Sequence, residues 1–297
     1  MRLHQDLKKL IESSGISQST IAKSTGMSAS VISQYLKGSY PGNIAALEER
    51  IREFLTTHRE REEENMPTTQ EVVEIQSLKE IFSQLRRASR YRDIGMATGE
   101  SGIGKTTALK EYHRRNPTTI LIEADPGYTA RSLAVELCEA LGLDTRGNLH
   151  LMMKRIIAKL SGSGRLVIID EAEHLPYRCL ELIRRIHDKA DIGVALVGMP
   201  RLKTNLQGDP NYFAQLYRRV GSHRPLKPLT DSDIASLISS RIGPVGSDVQ
   251  TALRKACQSN ARTLVKILRQ CVEIARINSC DLTVDVVSRA EDLVVIA

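Results

Sequence analysis

Residues 99–107 read GESGIGKTT, and no other stretch of the 297-residue chain restricts its fold so strongly. Glycines at the spacing of Gly99, Gly102 and Gly104 let a loop turn back so that its backbone N–H groups converge on one point. Such a loop needs a strand before it and a helix after it, because the helix N-terminus adds its positive end to the same field. The flanks supply both: DIGMAT (93–98) is a short apolar run, and TTALKEYHRR continues with helical spacing. Gly99, Glu100, Ser101, Gly102, Ile103, Gly104, Lys105, Thr106 and Thr107 are therefore expected to cradle the phosphates of ATP or ADP. In that arrangement Lys105 reaches the β- and γ-phosphates and the Thr106 hydroxyl ligates Mg²⁺.

Further apolar runs follow at TTILIEA (118–124), RLVIIDE (165–171), IGVALVG (192–198) and, more weakly, from His223 to Leu226. Continuous β-branched runs separated by amphipathic helices indicate a parallel sheet buried on both faces. After Asp231 the pattern is helical almost to the end. The expected fold is thus an α/β P-loop core over 71–228 with a C-terminal helical lid over 229–297. A small all-α domain over 1–57 precedes it, with the nearly apolar-free HREREEENMPTT inside a linker at 58–70.

RLVIIDEAEHL completes the nucleotide site. Asp170 ends a buried strand 65 residues after Lys105, where its carboxylate holds Mg²⁺. Glu171 is next in sequence and is the expected general base for the attacking water. A D-E pair followed by another strand and a helical C-terminus resembles the AAA+ class, in which a neighbouring subunit contributes an arginine to the γ-phosphate. FAQLYRRVGSHRPL offers Arg218 and Arg219 for that finger, with no ground for choosing between them. NARTLVKILRQ places Arg262 at a lid-helix start, as in the second sensor of the class. The class commonly has a polar residue after the fourth strand, where VALVGMPRL has Met199. Methionine cannot orient a water by hydrogen bonding, so either hydrolysis is slow or the task passes to another residue.

At the N-terminus, SQSTIAKSTGMSASVISQYLKG fits a helix-turn-helix. Ala22 is small where helices cross, and Gly26 falls where the turn requires positive φ. Ser17 and Ser28 suit N-caps, and Ile21, Met27, Ile32 and Leu36 are the apolar positions. The face expected toward DNA carries Ser28, Ala29, Ser30, Ser33, Gln34 and Lys37. One Gln and no Arg or Asn leave little for reading bases, whereas Ser and Lys suit phosphates. Binding to duplex DNA is therefore expected to be salt-sensitive and weakly selective.

Composition is compatible with this reading. The net charge is +7, and from Arg201 to Thr230 six basic residues face one acid, Asp209. The five cysteines are scattered without C-x-x-C spacing, which disfavours zinc or a disulfide framework. Tryptophan is absent, so capture of single strands on stacked aromatics is not indicated. No run approaches the roughly 18 apolar residues of a membrane span, and a cytoplasmic protein is expected.

The order of these parts, from the helix-turn-helix through LVIIDEAEHL, LVGMPRLKTNLQGDPN and FAQLYRRV to NARTLVKILRQCVEIA, resembles the MuB family of Mu-like phages. TnsC and IstB proteins are more distant relatives in that resemblance. It implies an ATP-dependent, largely non-specific DNA-binding ATPase that forms helical filaments on target DNA. It also implies delivery of that target to a DDE transposase, stimulation of strand transfer, and support of target immunity in the bacterial host cytoplasm. In such a filament the core residues expected near DNA are Tyr128, Thr129 and Arg131 of DPGYTARS, and Lys154, Arg155 and Lys159 on the following helix. Lys266, Arg276 and Arg289 are unranked candidates in the C-terminal region. Two other functions share some of these features: an ATP-switched helix-turn-helix transcription regulator and a helicase-loader-like replication protein.

Overall fold

In the computed structural model, residues 2–14, 16–64, 72–207 and 217–294 are described. The chain divides into two compact units, Met1–Gln70 and Glu71–Ala297.

The first unit is helical: α1 (Arg2–Ser14), α2 (Gln18–Thr25), α3 (Ala29–Leu36) and α4 (Ile44–Glu64). Ser17 Oγ accepts from the Thr20 N–H and Ser28 Oγ from the Val31 N–H, so both expected caps form. Gly26 ends α2 with φ 66°, which brings α3 across it. Ile21 and Ile32 are fully buried with Leu7, Leu47 and Ile51, while Met27 and Leu36 pack at the margin. Tyr35 joins that core and donates to Glu48 Oε1 at 3.0 Å. Burial and the neighbouring carboxylate push its hydroxyl up to about 12. Ser28, Ser30, Gln34 and Lys37 are exposed, and Ser33 is half-buried. His58 to Glu64, expected within the linker, instead continue α4. Arg and Glu are strong helix formers, so polarity alone does not break a helix there. The remainder of that linker, residues 65–70, lies outside the described residues.

The second unit is built on five parallel strands: β1 (Ile94–Thr98), β2 (Ile120–Glu123), β3 (Leu166–Asp170), β4 (Gly193–Gly198) and β5 (Val220–Pro225), in the order β2-β3-β4-β1-β5. β1, β3 and β4 are buried along their whole length, as their apolar sequences require. Successive residues feed two separate cores. Ile168, Ala195 and Val197 face α5 (Gln76–Tyr91), α6 (Lys105–Arg115) and the C-terminal helices. Val167, Ile169, Val194 and Leu196 face α7 (Ala130–Ala140), α8 (Leu149–Leu160) and α9 (Tyr177–Ala190). A short α10 (Arg201–Gln207) follows β4. The C-terminal helices are α11 (Asp231–Ile242), α12 (Ser247–Cys257), α13 (Ala261–Asn278) and α14 (Val284–Leu293). Their apolar faces, through Leu237, Leu253, Leu264 and Ile267, belong to the same core as Leu109 of α6 and Leu85 of α5. The lid is therefore packed onto the P-loop side of the sheet. Four of the five cysteines are buried free thiols. Among the described residues, no helix is long and apolar enough to cross a membrane.

Candidate nucleotide site

The loop from Gly99 to Gly104 leaves the C-terminal end of β1 and enters α6 at Lys105. Its first glycine donates its N–H to the Gly198 carbonyl at 3.0 Å, tying the loop to the end of β4. Gly102 and Gly104 adopt φ 82° and 95°, the left-handed region that the sequence spacing called for. Ile103 is turned inward, and Ser77 Oγ donates to its carbonyl at 3.0 Å. Glu100, Ser101 and Thr107 remain exposed, and Gly102, Gly104 and Thr106 are half-buried. No side chain caps the N-terminus of α6, so its first-turn amides are not occupied by a cap.

Lys105 is 6% exposed, and its Nζ donates to the carbonyls of Gly99 (2.8 Å) and Glu100 (3.0 Å). Burial lowers its pKa, and the carboxylates of Glu171, Glu173, Asp170 and Glu100 oppose that shift. It is thus the central cation of an acidic cluster. Asp170 ends β3, is 1% exposed, and accepts the Glu171 N–H at 2.9 Å. Burial raises its pKa, while a hydrogen bond from the Thr106 hydroxyl lowers it. Thr106 and Asp170 therefore meet, and this pair of oxygen donors suits the hard ion Mg²⁺.

Glu171 sits in the left-handed region at φ 50°, ψ 36°. A non-glycine residue there costs about 1–2 kcal/mol, and such strain gathers at functional positions. Burial first, then the carboxylates of Glu173 and Asp170, push its pKa above the usual glutamate value. Glu173 and His174, in the 3-10 turn that follows, bring their ligating atoms within 4.8 Å of those of Glu171. That Glu173 turns inward, with no side-chain exposure, has no local signal in LVIIDEAEHL.

Arg262 reaches the loop from the lid. Its N–H donates to the Gly102 carbonyl at 3.0 Å and its Nη1 to Ser101 Oγ at 3.2 Å. A residue missed in the sequence makes this contact firm. Asn260 caps α13 through Oδ1 and at the same time donates Nδ2 to the Ser101 carbonyl at 2.8 Å. A Cβ on Gly102 would lie 2.3 Å from Asn260 Oδ1, so the close approach also needs that glycine. The signal was available as an Asn before the helical ARTLVKILRQ, a common cap, but its 159-residue reach was not. Removing both the cap and the carbonyl contact by Asn260→Ala is expected to cost about 1–3 kcal/mol. It should also raise amide exchange at 99–104, which hydrogen-exchange mass spectrometry reads directly. Unchanged exchange would mean that the clasp is dispensable.

Arg218 and Arg219 do not join this cluster. β5 begins at Val220 opposite Ile94, whereas Pro225 lies opposite Thr98 beside the P-loop. Both arginines are exposed at the other end of the strand, and Arg219 Nε lies 3.6 Å from Asp188 Oδ1. They cannot serve their own subunit's site. Asp209 of the basic segment lies outside the described residues.

Several expected DNA contacts are occupied otherwise. Tyr128 is not a surface residue: it is 6% exposed in the core with Leu133 and Cys179, because an aromatic ring in a short loop gains more by filling the gap above α7 than by facing water. Thr129 caps α7 in a reciprocal box with Ser132. Arg131 donates to the Gly147 carbonyl, and Arg155 to the carbonyls of Asp144 and Arg146, so both fasten the 144–147 loop. Lys154, Lys159, Lys266, Arg276 and Arg289 are exposed.

Comparison with known proteins agrees with this architecture. Residues 84–206 match the AAA domain family and residues 7–47 the helix-turn-helix family. The Mu-like prophage FluMu DNA transposition protein B of Haemophilus influenzae is 30% identical over 78% of this chain and 83% of its own length. The ATP-dependent target DNA activator B of Escherichia phage Mu is 29% identical over 78% of this chain and 75% of its own. Among solved structures, the Aeropyrum pernix ORC2 protein in its ADPNP–ADP complexes superposes with a TM-score of 0.56 at 18% identity. That match covers 73% of this chain and 66% of that one, just under two thirds. A Thermotoga maritima RuvB mutant gives a TM-score of 0.51 at 16% identity, over 74% of this chain and 69% of that one. At such identities these two likenesses concern the fold alone. The parallel five-stranded core, the helix-turn-helix unit and the sequence identity together assign the chain to the family of the DNA transposition protein B of Mu-like phages, to which it belongs.

Proposed function

We propose that the chain is an ATP-dependent DNA-binding ATPase that coats target DNA as a helical filament, delivers it to a DDE transposase and supports target immunity. The observation that carries this reading is the convergence of Lys105, Thr106, Asp170 and Glu171 at one end of the sheet, with Arg262 docked on the same loop. The name of the phage Mu relative, an ATP-dependent target DNA activator, supports the same function here.

The chemistry follows from the residues. Lys105 moves from the Gly99 and Glu100 carbonyls to the β- and γ-phosphates when nucleotide enters. Thr106 and Asp170 would hold Mg²⁺, which would supply neutralisation of the phosphate charge. Glu171 takes the proton of a water whose oxygen bonds to the γ-phosphorus, while the bond from that phosphorus to the β-phosphate oxygen breaks. Arg262 senses nucleotide from within the subunit, and Arg218 or Arg219 reaches a neighbour's γ-phosphate. Because the finger loses its anion partner after hydrolysis, occupancy and assembly are linked. Met199 leaves the end of β4 without a polar group of its own, so hydrolysis is slow unless another residue takes that role, and it is stimulated by DNA and transposase.

Ser28, Ser30, Ser33, Gln34 and Lys37 add phosphate contacts from the N-terminal unit, and the exposed Thr129, Arg131, Lys154 and Lys159 are the core residues that remain for DNA. Gel-shift titration of unrelated duplexes with ATP, ADP and no nucleotide tests the reading. Binding should require ATP, differ little between sequences, and weaken by at least about tenfold between 50 and 200 mM salt, as expected for several phosphate contacts. One strongly preferred site bound without nucleotide would favour the transcription-regulator reading and sink this one.

A further inference from the structure

The acid that the nucleotide reading leaves unused is Glu173. Its side chain has no exposed surface, and neither carboxylate oxygen has a hydrogen-bond donor among the described residues. A buried carboxylate without donors is costly, and natural folds keep one only where something else depends on it. The fold makes room for it on purpose. A Cβ at position 198 would stand 2.0 Å from Glu173 Oε2, so the carboxylate fills the space left by Gly198 at the end of β4. That same Gly198 accepts the N–H of Gly99, the first residue of the phosphate loop. On the outer side stands α10. Arg201 Nη2 lies 3.7 Å from Glu173 Oε1 and donates to His174 Nε2 at 3.1 Å, and Asn205 Nδ2 donates to the Glu173 carbonyl at 3.4 Å.

A divalent cation among Glu171, Glu173 and His174 is disfavoured by this geometry, because the Arg201 guanidinium already uses the His174 nitrogen and faces the Glu173 carboxylate. The cluster instead sits between the base and the end of β4, where Met199 offers no polar group. We propose that Glu173 is a positioning residue of the hydrolytic site: with Arg201 as its counter-ion, it orients Glu171 and supplies the polar role at the β4 end that Met199 cannot. Its carboxylate lies within 4.8 Å of that of Glu171 and so limits where the Glu171 side chain can turn, while Arg201 beside it holds the Glu173 carboxylate in place. The inference rests on Glu171 being the base.

Full-length protein with Mg-ATP and duplex DNA provides the test, using Glu173→Gln, Glu173→Ala, Arg201→Ala, Arg201→Lys and the double variant Glu171→Gln/Glu173→Gln. Glu173→Gln should lower kcat by about tenfold or more while KM and the affinity for a fluorescent ATP analogue stay within about twofold. Its melting temperature should hold, since the amide keeps the volume of a side chain whose oxygens receive no hydrogen bond. Arg201→Ala should lower kcat in the same way, and Arg201→Lys should recover part of it. In the Glu171→Gln background, Glu173→Gln should change single-turnover hydrolysis by less than about twofold, because the group it acts through is gone. An unchanged kcat in Glu173→Gln, or an equal loss with and without Glu171, would overturn the proposal. A fall in melting temperature with kcat and KM changing together would mean a merely structural role and overturn it too. Should Glu173→Ala not fold, Glu173→Gln keeps the volume and carries the comparison. A wild-type chain that binds ATP without ever hydrolysing it refutes the ATPase reading itself, an outcome distinct from hydrolysis that ignores Glu173.

Discussion

Replacing Lys105 by alanine is expected to weaken ATP binding by about a hundredfold or more, equivalent to roughly 3 kcal/mol. Two effects add. The charge-assisted bonds to the phosphates disappear, and the carboxylates of Glu171, Glu173, Asp170 and Glu100 lose their central cation. Burial and the surrounding acids act on Lys105 in opposite directions, with Glu171, Glu173 and Asp170 all favouring its charged form. Without it, an incoming polyphosphate meets an unrelieved negative cluster. Thermal melting separates this from general damage. ATP at a hundredfold excess over Kd should stabilise the wild type by about 2.7 kcal/mol, and at the same ATP concentration that increment should fall to about 0.4 kcal/mol or less in Lys105→Ala. The N-terminal unit, which has its own core around Ile21, Ile32 and Ile51, should be untouched. Filaments assembling with ATP in the variant would refute a nucleotide-dependent assembly.

Much of this site was legible in the sequence because its parts are local. A phosphate loop and a D-E pair are each contiguous, and the strands that end in them are continuous apolar runs. β1 to β4 fall within one or two residues of the expected runs, since each is a short, largely apolar run between helical segments. β5 was clear only from His223, yet it begins at Val220. As an edge strand carrying Gly221 and Ser222 it bears little apolar signal. What the sequence concealed is what depends on distant packing. Tyr128 reads as a loop surface residue until the gap above α7 is seen, and Arg131 and Arg155 read as free cations until each is found donating to a carbonyl of the 144–147 loop. Asn260 reads as a cap and is also a clasp on Ser101. Glu173, two residues beyond the D-E pair, reads as a solvated acid and lies under Gly198. In each case one residue type suits two environments, and only the tertiary partner decides.

Glu171→Gln should reduce ATP hydrolysis by about 10²–10⁴-fold while leaving ATP affinity within a few-fold. The amide keeps the size of the side chain and its left-handed backbone, so the geometry of the turn at φ 50° persists. It removes one negative charge from a cluster in which Glu173 and Asp170 already disfavour a second ionised group. Stability should therefore not fall. The wild-type rate carries a further mark of this residue. A base must be ionised to accept a proton, and burial with like charges raises the pKa of Glu171 above the ordinary 4.5. Hydrolysis should accordingly lose rate as pH falls through a value above 4.5, and the low residual rate of Glu171→Gln should lack that limb. Since γ-phosphate loss is the step that frees the neighbour's arginine, the variant should also hold DNA in ATP for far longer than the wild type. Dissociation from duplex after dilution, followed by fluorescence anisotropy, measures this. Hydrolysis at the wild-type rate would remove Glu171 as the base, and rapid release without hydrolysis would uncouple DNA retention from the nucleotide.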